Sequence, residues 1–324
     1  MERKTALYIG SCTVDVNATC PSLHTVCTTH HQHTEKYAYL SFASKTLLDD
    51  VSLDTGGSAA NSAYTTELLG SNVDLVSAVG KDVFGKLVLE DLKARGISTR
   101  HVRIFPKEKT SVGINVLCGA GEKTNLVHKG ATDALGKSDL AESWVNAADA
   151  VVCTSLASEK NFSLFKKAIL LSKKHGKFLV FAPSITMLRK RRKELDGMKQ
   201  EFDVAVMNAE EACFFTHSHD PMKALDKMPG KLKVMTWDQN GSYVEEFGRV
   251  WHVPTLKVKV RDTTGAGDAF TGALVHELLH HGDALQAVQL ATATACFNLQ
   301  KVGAKVEGTA KEIHAYQKKK RFQA

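Results

Sequence analysis

The feature that most constrains this chain is a repeated alternation of short apolar segments with amphipathic ones that stop at a glycine. Residues 7–10 read as a buried strand, 59–69 as a helix closed by Gly70, 73–78 as a strand and 84–95 as a helix closed by Gly96. Further along, 150–153, 178–181, 204–207 and 232–236 read as strands, and 162–175 as a helix closed by Gly176. Phe162, Phe165 and Ile169 in that last helix follow core spacing. Short apolar strands joined by helices predict an α/β fold, with a mainly parallel sheet covered by helices on both faces.

Two regions break the alternation. Residues 13–55 hold a polar, Thr- and His-rich stretch followed by alternating segments at 37–42 and 47–53. Residues 101–128 read as extended, with a hairpin whose arms are 112–118 and 124–128. Both fit a small β layer beside the main sheet, a flap that closes a site against water. With no internal repeat and no low-complexity linker, one domain over residues 1–324 is expected.

Composition narrows the class. A 43% apolar and 24% charged chain of 324 residues suits a soluble enzyme with a large core. The net charge of +7 suits polyanionic ligands such as nucleotides or sugar phosphates, but is too diffuse to point to nucleic acid. Residues 189–193 read as a solvated basic helix face and 318–321 as a polar tail. No stretch has the length of a membrane span, and the first residues do not read as a signal peptide. Seven scattered cysteines without CxxC spacing read as reduced thiols of a cytoplasmic protein.

The stretch Asp262-Thr263-Thr264-Gly265-Ala266-Gly267-Asp268 carries the most chemistry. It leaves a strand-like segment at 256–260 and enters a helix whose apolar face is Phe270, Ala273, Leu274 and Leu278, with Gly282 as its stop. Two glycines at a helix start let free N–H groups converge on an anion, which the helix dipole also favours. Asp268 is an anion placed inside that anion site. Complementing the dipole is its ordinary role; taking a proton from a hydroxyl that attacks a phosphoryl group is the more specific one.

A second double glycine, Gly56-Gly57-Ser58-Ala59-Ala60-Asn61, also feeds a helix. There the backbone can approach a polyhydroxy ligand, and Asn61 can both donate and accept. Asp15, after the first strand, sits where an open α/β sheet places its ligands, although an Asp there is also a common turn residue. Other signals read as structural. Gly119 to Thr124 joins two β arms and is a hairpin turn, not a phosphate loop. His30, His31, His33, His217 and His219 lack partners at ligand spacing and read as exposed loop residues. His280 and His281 complement a helix end.

Taken together, Asp268 in its Gly-Ala-Gly-Asp turn, Gly56-Gly57 with Asn61, and Asp15 resemble the ribokinase-like (PfkB-type) carbohydrate kinase family. The resemblance runs from about residue 5 to about residue 310. It implies a ribokinase-like three-layer α/β/α sandwich with a central mostly parallel sheet and a small β-sheet lid, formed by inserts at about 13–55 and 101–128. It also implies transfer of the ATP γ-phosphoryl group to a hydroxyl of a small sugar or sugar acid. By position, Asp268 is then the base, and the amides of Gly265, Ala266 and Gly267 the anion hole. Thr13, Asp15, Gly56, Gly57 and Asn61 hold the acceptor. Asn208, Glu211, Thr236 and Gly241 lie along the nucleotide, Glu211 ordering water on Mg²⁺. Asp262 and the Thr264 carbonyl match positions that bind K⁺ in many members.

The chain departs from the family pattern in three places: Asp238 stands where Gly is usual, Thr13 where ribose-type members have Asn, and residues 20–35 are longer than usual. Three rival readings follow. A nucleoside kinase would use Tyr37, Tyr39 and Phe42. A sugar-phosphate kinase would need cations such as Lys45, Lys129 and Arg189. An inactive binding regulator would draw on Asp238. The resemblance further implies pairing of two copies through the lid.

Overall fold

The structure, a computed structural model, describes residues 3–20, 22–30, 33–118 and 123–319. Its strands are β1 (Thr5–Ile9), β2 (Thr13–Cys20), β3 (His24–His30), β4 (His33–Tyr39), β5 (Asp50–Gly56), β6 (Asn72–Gly80), β7 (Val102–Phe105), β8 (Val112–Cys118), β9 (Lys123–His128), β10 (Ala150–Cys153), β11 (Phe178–Phe181), β12 (Val204–Asn208), β13 (Leu232–Thr236), β14 (Ser242–Glu246) and β15 (Arg249–Val253).

The main sheet runs β15-β14-β13-β12-β11-β10-β1-β6-β7. Strands β7, β6, β1, β10, β11, β12 and β13 pair in parallel, and β14–β15 close one edge as an antiparallel hairpin. Period-two alternation then sorts side chains to the two faces. Tyr8, Leu75, Val152 and Val180 pack on one side with Ala63, Leu274 and Ala287. Leu7, Ile9, Val151 and Phe181 pack on the other with Phe165, Met187 and Phe215. Each such large side chain contributes about 1.5–3 kcal/mol by leaving water, so neither face can be left bare. The result is the α/β/α layering expected from the alternation.

Strand order reverses at the middle. From β1 the chain builds outward through β6 and β7, whereas β10 starts on the other flank of β1 and continues through β11, β12 and β13. Such a switch point opens a crevice at the carboxyl ends of the two central strands.

A second sheet, β5-β2-β8-β9, and a two-stranded pair, β3-β4, stand apart from the main one. In the second sheet, Asp15 faces Asp54 on one neighbour and Gly113 on the other.

Several expectations need correcting. Residues 256–260 form no strand. They follow Pro254, which has no N–H for a ladder, and Leu256 instead buries against Ala293 and Cys296. The polar Thr-rich stretch after residue 13 is strand, as the expected β layer requires, with β2 gaining partners on both sides. His30 and His33 oppose each other across β3–β4 and are not loop residues. Val102–Phe105, inside the expected lid insert, is a parallel edge strand of the main sheet. In the basic run, Arg191 donates to Ala157 O (3.0 Å) and Arg192 to Phe214 O (3.3 Å), so this is not simply a solvated face. The arms β8 and β9 do pair as a hairpin. The turn residues Gly119 to Glu122, with His31 and residues 320–321, lie outside the described residues. Among the described residues Cys12, Cys20, Cys153, Cys213 and Cys296 are free thiols, all but Cys213 buried, and Cys118 is buried too.

Candidate active site

Two helices meet at the site because a glycine lets their backbones touch. A Cβ on Gly272 would lie 2.4 Å from Ser62 O, so helices Ser58–Leu69 and Ala266–His280 cross in close contact. Thr66 Oγ1 donates to Gly272 O (2.8 Å) and bonds the buried Tyr8 hydroxyl (2.6 Å), fixing both helices to β1. At their N-terminal ends this crossing brings Asn61 Nδ2 to Asp268 Oδ2, 2.9 Å away.

Asp268 sits in the first turn of its helix and is only partly exposed. Burial pushes its carboxyl up to about 6; hydrogen bonds from Asn61 and Ser58 oppose this, and the nearby Asp15 charge adds to it. Asp15 is held in turn by Thr13 Oγ1, which donates to Asp15 Oδ1 (3.3 Å). Two glycines leave room for it. A Cβ on Gly56 would fall 2.1 Å from Asp15 Oδ2, and one on Gly113 2.7 Å from Asp15 Oδ1. Asp15 is thus a mid-strand residue of β2, not a turn residue, and its position forces small neighbours.

Gly57 caps the Ser58–Leu69 helix at φ 97°, and its Cβ would meet Ser11 O at 2.5 Å. Gly265 caps the second helix at φ 74°, a left-handed conformation that costs an L side chain about 1–2 kcal/mol. There a Cβ would sit 2.0 Å from Ala304 O. The amides of Gly265 and Gly267 bond to nothing among the described residues, and Ala266 N reaches only Thr263 O at 3.4 Å. The turn is braced from behind. Asp262 accepts from the Thr264 amide (2.9 Å) and hydroxyl (2.6 Å) and from Gly303 N (3.0 Å), and Asn298 Nδ2 donates to Thr264 O (3.1 Å).

Next to Ala304, the buried Lys305 donates to the carbonyl and hydroxyl of Thr55, with Asp91 3.3 Å and Asp54 3.4 Å away. The floor of Gly265 is therefore bonded to the residue that precedes Gly56-Gly57.

At the end of β12, Asn208 and Glu211 form a reciprocal cap on helix Ala209–Thr216. Glu211 Oε2 accepts from Asn208 N (3.0 Å) and Oε1 from Ile185 N (3.1 Å). Burial pushes Glu211 up to about 7; those amides oppose it, and the charges of Glu210 and Asp268 add to it. Thr236 lies opposite Asn208 in the β12–β13 register. The turn after it holds Asp238 at φ 43° and Gly241 at φ 81°. Asp tolerates the left-handed region better than most residues, which explains how it can occupy a position where the family has Gly. Its side chain is exposed.

The structure therefore gathers Asp15, Thr13, Gly56, Gly57 and Asn61 around Asp268, with Glu211 near enough to feel its charge. Thr236 and Gly241 sit at the adjoining strand end, with no hydrogen bond to Asp268 among the described residues. Sequence reasoning missed Ser58, Gly113 and Lys305. Ser58 was legible as the first residue after a double glycine; the other two are isolated in sequence and only the fold brings them in.

A carboxylate in the same helix start as amides that bond to nothing among the described residues is equipped for phosphoryl chemistry, and the architecture around it is that of known sugar kinases. Over 98% of this chain the fold superposes on 99% of an Arabidopsis thaliana ribokinase solved with ribose and ATP, with a TM-score of 0.82 at 20% identity. In sequence the chain is 28% identical over 251 residues to the 2-dehydro-3-deoxygluconokinase of Thermoproteus tenax, covering 74% of this chain and 77% of that one. It is 25% identical over 254 residues to a guanosine-inosine kinase of Exiguobacterium acetylicum, covering 74% and 82%. A model of the pfkB family carbohydrate kinases matches residues 4–309. The chain belongs to that family and is a phosphotransferase acting on an alcohol group.

Proposed function

We propose that this enzyme transfers the γ-phosphoryl group of ATP to a hydroxyl of a small sugar or sugar acid, with Asp268 as the base. The observation that carries this reading is the Asp268 carboxylate, hydrogen-bonded to Asn61, in the same turn as the unpaired amides of Gly265 and Gly267. Asp15, Thr13, Gly56, Gly57 and Asn61 hold the acceptor, and Asp268 removes its proton as the oxygen attacks. The amides of Gly265, Ala266 and Gly267 take up charge on the phosphoryl oxygens, an interaction worth roughly 3–4 kcal/mol per donor. Asn208, Thr236 and Gly241 line the nucleotide side.

Mg²⁺ fits the donor set. Glu211 is raised partly by repulsion from Glu210 and Asp268, which a cation between them would relieve. Among the described residues no three His, Cys, Asp or Glu side chains converge to hold a metal directly. The ion would therefore be bound mainly by nucleotide phosphates, with Glu211 ordering its water. When bound, it neutralises phosphate charge. A K⁺ ion at Asp262 and Thr264 O would share oxygens that already accept protein hydrogen bonds.

The nucleoside reading is weaker. Tyr39 and Phe42, which could stack a base, are 55% and 102% exposed. The inactive-regulator reading leaves the Asp268 geometry without a use. The test is a panel of neutral sugars, sugar acids and nucleosides with Mg·ATP, each with and without K⁺, read as ADP formed and acceptor phosphorylated. Transfer to a sugar or sugar acid is expected; transfer to nucleosides alone would replace this reading.

The second sheet would also pair two copies. One face carries Asp15; the other carries a cross-strand row of Leu53, Val16, Ile114 and Leu126, of which Leu53 and Leu126 are 57% and 60% exposed. Sedimentation should show a dimer that Leu53→Asp converts to monomer; a monomeric parent protein removes the proposal.

A further inference from the structure

We infer that the crevice at the switch point is the end of the acceptor site that reads a carboxylate, with Lys129 and Lys190 selecting a sugar acid over its neutral counterpart. The inference rests on the kinase reading above and names its substrate class.

The place follows from topology. A small cavity is lined by Ser11, which follows β1, by Ser155, which follows β10, and by Thr186 and Lys190 of the helix after β11. Lys129, Thr132 and Asp133, which follow β9 of the second sheet, close it from above. Ser11 O is also the atom that a Cβ on Gly57 would strike at 2.5 Å, so the cavity borders the acceptor glycines.

Its chemistry suits an anion. Among the described residues neither lysine has a hydrogen bond or ion pair through its ammonium group. Burial lowers the Lys129 pKa; Asp133 opposes this, and the Lys190 charge adds to it. The one carboxylate present is already engaged, since Asn161 Nδ2 donates to Asp133 Oδ1 (3.0 Å). Two cations thus face one anion, leaving room for a second. The backbone of this corner is fixed while the ammonium is free. Ser111 donates to Lys129 O, Ala131 N donates to Lys109 O (2.7 Å), and a Cβ on Gly130 would lie 2.3 Å from Lys109 O. On the opposite wall the helix departs from helical geometry at Arg191 (φ −122°), next to Lys190, where Arg191 bonds the carbonyl of the lining residue Ala157.

Charge chooses between anions. Two ammonium groups against the single Asp133 carboxylate leave one unbalanced positive charge. One carboxylate matches it, whereas a phosphoryl group, with close to two negative charges, exceeds it. The terminal group read here is therefore a carboxylate, at the end of the acceptor away from the hydroxyl that Asp268 deprotonates.

The experiment compares aldonates and keto-aldonates with aldoses and alditols of matched length, using the full chain. Binding is read by calorimetry and transfer by kcat/KM with Mg·ATP; melting curves check that each variant is folded. The parent protein should favour the acid at least about tenfold in both readouts, as expected for charge-assisted hydrogen bonds. Lys129→Gln and Lys190→Gln should each lower the acid-to-neutral ratio by about tenfold. Equal or better binding of the neutral partner, no binding of any acid, or a ratio unmoved in both folded variants overturns the inference. Lys129-dependent binding of an acid without phosphoryl transfer would keep the carboxylate site and overturn the kinase reading. Efficient transfer to neutral sugars would do the reverse.

Discussion

Asp268→Asn is expected to lower kcat by about 10²–10⁴-fold while leaving the protein folded and able to bind ATP. The amide keeps an oxygen for the Asn61 donor, which now sits 2.9 Å from Asp268 Oδ2, so acceptor positioning survives. What is lost is the ability to take a proton. A variant with near-parent turnover would remove Asp268 from the base role. The parent enzyme should also show a pH profile set by this group. With the carboxyl near 6, kcat/KM rises as pH climbs toward that value and levels above it.

The same shift makes a stability prediction of opposite direction. The folded-state pKa lies above the value of 3.8 for an unperturbed carboxyl, so the folded form binds the proton more tightly. Asp268 therefore destabilises the fold increasingly from about pH 4 to about pH 6, and by its full amount above that. A shift of this size corresponds to a penalty on the order of 3 kcal/mol. Asp268→Asn, which cannot titrate, should melt several degrees above the parent at pH 8, with the two curves converging toward pH 4. Higher stability with lost activity is the signature of a residue kept for chemistry.

How much of this was legible depends on whether the cause was local. Core strands could be read because apolar runs such as residues 150–153 and 178–181 are buried on both faces whatever their neighbours. The Gly265–Asp268 turn could be read because its two glycines and its Asp act within one helix start. The strand expected before that turn failed for a tertiary reason: Leu256 and Val258 find apolar cover on helix Ala284–Asn298, but the segment meets no sheet edge. The hairpin β14–β15 was missed, and the extended residues of β7 were placed in the lid instead of the main sheet, because strands near a sheet's edges carry mixed patterns, with Val250 and Ile104 half exposed. Asp15 was readable as a candidate, but its mid-strand place was not, since that depends on pairing with β5 and β8. Lys305 was invisible: a lone lysine gives no sign that Thr55, Asp54 and Asp91 will surround it.

The two glycines of the turn should separate under mutation, because their surroundings differ. At Gly265 a methyl group faces both a left-handed backbone and a carbonyl 2.0 Å away. Gly265→Ala must push residues 303–305 outward, loosening the Lys305 bonds to Thr55. A loss of about 3 kcal/mol or more is expected, visible as an early denaturant midpoint. At Gly267 the backbone is helical and nothing lies within 4 Å of where a methyl carbon would stand. Gly267→Ala should therefore fold as well as the parent or gain about 0.5–1 kcal/mol, the ordinary helix preference for Ala. Yet under the proposed mechanism the open space above Gly267 is where the transferred phosphoryl group meets the amides. Filling it should cost roughly 10²–10³-fold in kcat, the scale of losing one oxyanion donor. An active Gly267→Ala would mean the phosphoryl group lies elsewhere, and the anion hole would have to be sought away from this turn.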